Sequence, residues 1–165
     1  MISVRETSSK KILSGSYGFT LIELLVVVGL IAVLTGGVIA GFSKFTEKQK
    51  VVVEALRLKS NLRQAQAKAI SGYKPDSICS GSLNGYRATF TGDGYTLSID
   101  CNASGIVPVQ TVAMPPGISV ASTAEFTFLP LTNGVSNAAT ITFTNVATGG
   151  TATITVSTSG DISGP

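Results

Sequence analysis

The chain has 165 residues, enough for one globular domain with a modest core, and only 13% of them are charged, so Ser, Thr, Asn and Gly must supply most of its solubility. It has no histidine, the commonest partner of cysteine in zinc sites, and neither a Gly-rich phosphate loop nor a dense acidic run for Ca²⁺ is visible. No catalytic constellation stands out, and no enzyme activity, cofactor or metal is expected. The net charge of +3 is unevenly spread: all twelve Lys and Arg lie at or before Arg87, and beyond it Asp93, Asp100, Glu125 and Asp161 give −4 against +7 for residues 1–87.

The first eighteen residues, MISVRETSSKKILSGSYG, carry Arg5, Lys10 and Lys11 against one acid, Glu6. Basic residues beside an apolar span mark its cytoplasmic side. The span is Phe19 to Phe42, FTLIELLVVVGLIAVLTGGVIAGF, 24 residues with a single charge, Glu23. At about 1.5 Å per helical residue it can cross a hydrocarbon core of about 30 Å. A carboxylate five residues into such a helix costs several kcal/mol unless it is paired or reaches water at the interface. A secretory signal places its small-residue cleavage site after the apolar run. Here the candidate, Gly18, lies before it, so a cut would leave the helix on the mature chain with a new amine on Phe19 and Glu23 as its fifth residue. Gly37 and Gly41 form a small-xxx-small pattern that suits close helix approach or simple flexibility.

Gly18-Phe19-Thr20-Leu21-Ile22-Glu23 followed by an apolar run resembles the processing signal of type IV prepilins and type II secretion pseudopilins. The resemblance implies a prepilin peptidase that cuts after Gly18 and methylates Phe19, and an assembly role for Glu23. It covers the N-terminal third closely and the rest in outline. Many members carry a Pro in the second half of the apolar helix; this chain has Ala40 there, among Gly36, Gly37 and Gly41. Any bend would arise through glycine.

Beyond the span the helix is predicted to continue over 43–72. Val51, Ala55, Leu58, Leu62, Ala65 and Ala69 alternate at spacings of four and three and make one apolar stripe. Charged residues, Glu54 among them, cover the other faces, with Glu47–Lys50 and Glu54–Arg57 spaced to pair. The basic excess admits a nucleic-acid or lipid reading, or the solvated face of a helix packed on a sheet. Ser71-Gly72 and Pro75 end the helix.

Residues 73–85 read as a loop. Tyr86, Ala88 and Phe90, then Tyr95, Leu97 and Ile99, alternate about Gly92-Asp93-Gly94 as a hairpin. An ill-defined strand over 106–114 precedes Pro115-Pro116-Gly117, and short strands follow at 118–120 and 125–129. The clearest hairpin turns at Gly149-Gly150. A two-residue turn there sets Thr148 opposite Thr151, Phe143 opposite Val156 and Asn145 opposite Ile154. It puts Ile141, Phe143, Ala147, Ala152, Ile154 and Val156 on one face and threonines on the other. The threonine face suits a sugar or a neighbouring subunit, or is no more than β-propensity with solubility. Cys79 and Cys101 favour a disulfide in an oxidising compartment; its loop of about 23 residues would contribute roughly 3 kcal/mol. Two buried thiols or half a metal site are the alternatives.

The expected fold class is α+β: a leader over 1–18, a membrane-spanning and filament-core helix over 19–42, its amphipathic half over 43–72, and a β-rich domain over 73–165. That is the pilin-like fold the resemblance implies. Phe126-Thr-Phe-Leu-Pro-Leu-Thr-Asn-Gly134, the strands at Ile141 and Ile154, and Ser159-Gly160-Asp161-Ile162 are similar to the GspH/FimT minor subfamily. The implied function is a minor subunit of a type II pseudopilus or type IV pilus that helps initiate or cap assembly. The implied location is the inner membrane, single-pass with its N-terminus cytoplasmic and its C-terminal domain periplasmic, and then the filament. The implied partners are other pilins or pseudopilins, the prepilin peptidase and the assembly platform. The alternatives are a DNA-capturing FimT-like minor pilin, which the lack of any Lys or Arg beyond Arg87 disfavours, and a major pilin.

Overall fold

The computed structural model describes residues 18–165, and the side chains of all of these except 36–44. The predicted leader apart from Gly18, the Gly37–Gly41 pattern and the Ala40 substitution therefore fall outside the described part. The chain forms two compact units, 1–40 and 41–165. One helix, α1 (Leu21–Ile70), contributes residues to both. Among the described residues no helix is long and apolar enough to cross a membrane; the span predicted over 19–42 runs into the stretch whose side chains are not described.

In the second unit the predicted stripe is the buried one. Val51, Ala55, Leu58, Leu62, Ala65 and Ala69 are all at or below 5% exposure, because residues three and four apart share one side of a helix. Gly72, at φ +64°, ends α1, with Gly72 N–H donating to Ala69 O and Tyr73 N–H to Lys68 O. A left-handed residue just past the helix closes its orphan carbonyls this way.

Eight strands follow: β1 (Leu83–Thr91), β2 (Gly94–Cys101), β3 (Gly105–Ala113), β4 (Ile118–Ser122), β5 (Phe126–Phe128), β6 (Ala139–Asn145), β7 (Thr151–Val156) and β8 (Ile162–Ser163). They form two antiparallel sheets, in the orders β3-β2-β1-β5 and β4-β6-β7-β8. The class is α+β, as expected, but with two sheets where one was anticipated. Pro115-Pro116-Gly117 breaks the chain between β3 and β4, and β5 returns to pair with β1 across some forty residues. The inner faces of both sheets and the α1 stripe make one hydrophobic cluster. Tyr95, Phe126 and Phe128 lie in it and Phe90 packs against it; neighbouring ring centroids are 5.5 to 6.2 Å apart.

The structure corrects three sequence expectations in this unit. The predicted loop ends at Ser82, since β1 starts at Leu83. Glu54 is buried, at 9% exposure, with Arg57 Nη1 at 3.7 Å. The β6–β7 register is shifted by four residues: Phe143 faces Ala152 where Val156 was expected, and Ala139 faces Val156. Asn145 causes the shift. Its Oδ1 accepts from Ala147 N–H at 3.0 Å and Thr148 N–H at 3.1 Å, so the turn closes earlier and is longer than Gly149-Gly150 alone. Ala147 is consequently exposed and Asn145 buried. Because the slip is an even number of residues, the strand side chains stay on their predicted faces.

Cys79 and Cys101 are bonded, with Cα atoms 5.6 Å apart, and both are buried. The bridge ties the loop after α1 to the last residue of β2. Reducing it is expected to cost roughly 3 kcal/mol by loop entropy, read as a lower melting temperature of the purified chain with reductant than without. An unchanged melt would mean that the packing around the loop carries the constraint.

Candidate processing and assembly site

The N-terminal turn of α1 is built by Thr20. Its hydroxyl accepts from Glu23 N–H at 3.3 Å, and its carbonyl accepts from Leu24 N–H at 3.2 Å. Thr20 is thus the N-cap, Leu21 the first helical residue, and Glu23 the third. Thr-x-x-Glu is the capping-box spacing. It places a carboxylate in the turn where the helix macrodipole favours negative charge. Thr20 is the functional residue that the reading of Glu23 passed over, although the capping pattern was legible in the sequence.

Phe19 stands one residue outside the cap at 81% exposure, and no atom of the described residues lies within 4 Å of where a Gly18 side chain would begin. From Leu21 to Leu34 the apolar side chains are open, with exposures between 47% and 83%. A contiguous exposed surface of this kind marks a membrane or protein contact. Gly18, Phe19, Thr20 and Glu23 are therefore gathered at one helix start. Cys79 and Cys101 belong to the other compact unit and take no part in this site.

The second unit fixes its helix through polar contacts spaced along it. Asn145 Nδ2 donates to Glu47 Oε2 at 3.0 Å, Asn61 Nδ2 to Tyr95 OH at 2.7 Å, and Gln66 Nε2 to Gly160 O at 2.7 Å. Lys59 Nζ donates to Gly164 O at 2.6 Å. Lys50 and then Asn145, both donating to Glu47, hold its carboxyl below the ordinary carboxylate value. The predicted Glu47–Lys50 and Glu54–Arg57 pairs both form.

The two cations that a nucleic-acid surface near the loop would require are engaged within the chain. Lys74 donates to Gly81 O at 2.8 Å and lies 3.8 Å from Asp76. Arg87 reaches Asp100 at 3.7 Å and Glu125 at 3.8 Å. Among the described residues no three His, Cys, Asp or Glu stand close enough to hold a metal ion.

Comparison with known families gives two matches. Residues 54–160 match the family described as Type II transport protein GspH. Residues 13–39 match the Prokaryotic N-terminal methylation motif. No curated protein and no solved structure matches the chain.

Proposed function

Because the chain belongs to the type II transport protein GspH family, a family of structural pseudopilins, we propose that it is a minor subunit that is cut after Gly18, methylated on Phe19 and assembled through its apolar helix. Before assembly it is held in the inner membrane by residues 19–42, with the basic leader on the cytoplasmic side and residues 43–165 in the periplasm. The prepilin peptidase and the assembly platform act on it there. It then joins sister pseudopilins at or near the filament tip and helps initiate or cap the fibre, a heterologous contact that extends without closing.

The observation that carries this reading is the N-terminal turn. A capped helix start presents Phe19 outside the cap, Glu23 inside its first turn, and an open apolar surface behind them. Cutting before Phe19 creates an ammonium at the helix end where Glu23 already sits. The DNA-capture alternative draws no support from Lys74 and Arg87, both already paired.

Intact-mass analysis tests the processing step. Chain co-expressed with a prepilin peptidase is expected to lose residues 1–18 and gain one methyl. Gly18→Val should remain full-length, and because that position is open the block would lie in recognition by the peptidase. Unprocessed wild-type chain beside an active peptidase would sink the proposal.

A further inference from the structure

Strand β3 is the long open edge of the molecule. One side pairs with β2, and among the described residues no strand pairs with the other. The remaining edges are short or covered. Val135 bridges to Phe128 and Ser136 N–H donates to Thr127 O beside β5; Val120 N–H of β4 donates to Gly92 O; β8 has two residues. Seven of the nine β3 residues are exposed, with Ile106 at 50% and Val109 at 45%. No charged residue occurs between Asp100 and Glu125.

Soluble proteins blunt such edges with lysines, short strands or cover, since a row of free backbone donors and acceptors templates another strand. Here the blunting is limited to Pro108, which lacks a backbone donor, and to a bulge at Val109, left unpaired between Leu97–Gln110 and Ser98–Pro108. What remains is complementary to an extended backbone and to little else. The chemistry beside the edge narrows the occupant. Val109 and Gln110 share a cleft with Gln64 and Lys68 of α1. Among the described residues Lys68 has no carboxylate partner. A strand laid along β3 would bring a side chain over that cleft, and a carboxylate there meets the free ammonium.

Resting on the pseudopilin reading, we propose that β3 is a strand-addition edge that takes an extended, mainly uncharged segment of a sister subunit carrying one carboxylate opposite Lys68. This contact is separate from the apolar part of α1 and adds backbone register to the assembly.

The test is amide hydrogen exchange on the processed full chain, free and co-assembled with sister pseudopilins. Amides of residues 106–111 are expected to slow by about tenfold or more on assembly. Val109→Lys places a charge on the edge without touching the core. It is expected to weaken co-purification by about tenfold, the equivalent of one or two backbone hydrogen bonds, and to leave the melting temperature of the free chain unchanged. Lys68→Glu should weaken it similarly and Lys68→Arg should not. Co-assembly with β3 exchanging at its free rate, or with Val109→Lys behaving as wild type, overturns this inference and leaves the pseudopilin reading standing. Failure of the wild-type chain to co-assemble overturns both. Protection that appears in the purified chain alone, rising with its concentration, identifies a second copy as the occupant and overturns the sister segment.

Discussion

Replacing Glu23 by alanine is expected to leave export, processing and the fold of residues 41–165 intact, and to reduce docking onto sister subunits by more than a hundredfold. The side chain is exposed, and its backbone N–H, which substitution keeps, makes the contact to Thr20. Losing its interaction with the helix dipole costs about 0.3–1 kcal/mol, too little to unfold the helix. In the dry core of a filament the balance differs. A buried ion pair gives little over apolar packing, but removing one member strands the other at about 3–5 kcal/mol. Glutamine separates the two roles. It keeps the side chain's length and polarity at the capping-box position and removes the charge that would face the Phe19 ammonium, so Glu23→Gln should leave the helix start intact and still fail to dock. Crosslinking to co-expressed sister subunits, beside a secretion readout, measures this. Wild-type docking by the alanine variant would leave Glu23 with no assembly role.

The second large effect is expected at Gly160. Its φ is +83°, and a Cβ there would collide with the backbone of Asn133 and with Gln66 Nε2. Neither can retreat easily: Gln66 donates to Gly160 O, and the next residue along from Asn133, Gly134, accepts from Leu129 N–H through its carbonyl. Gly160→Ala is expected to lose about 3 kcal/mol or more, combining left-handed strain of roughly 1–2 kcal/mol with displaced backbone. Gly149→Ala is the control. It shares the positive φ, +68°, with nothing within 4 Å of the added carbon, so it should cost the strain alone. Denaturant melts of the two variants measure the difference. Equal losses would show that the close approach to Asn133 relaxes freely.

The helical part of the fold was legible because its signal is local. Six stripe residues spaced by three and four could face only one way, and all six are buried. The strands and their faces were legible for the same reason, as alternation. Pairing was not. The turn at Asn145 is set by a side-chain oxygen that competes with the Gly-Gly signal four residues later, and composition does not rank the two. The division into two sheets depends on β5 finding β1, a contact between distant segments that leaves no periodic trace. Glu54 was assigned to the solvent side of the helix because it is charged, yet it is buried, with Arg57 3.7 Å away. At the candidate site the residues Gly18, Phe19 and Glu23 could be picked out from order and polarity alone. The Thr20 cap was equally legible as Thr-x-x-Glu, and its hydroxyl does hold the first turn.

The bonds from Gln66 to Gly160 and from Lys59 to Gly164 span 94 and 105 positions in sequence. They impose an order of events on a chain delivered from its N-terminus. On the proposed topology the α1 stripe reaches the far side of the membrane first, and the residues that lock it arrive last, with most of both sheets in between. Long-range closure of this kind is slow. During that interval the newborn subunit shows Leu58 and Leu62 to whatever proteases and chaperones patrol the compartment. Survival to assembly is then a race between translocation of Gly160 and capture of the naked stripe. A substitution that merely delays the last strand would lower the number of subunits reaching the filament without altering any finished one.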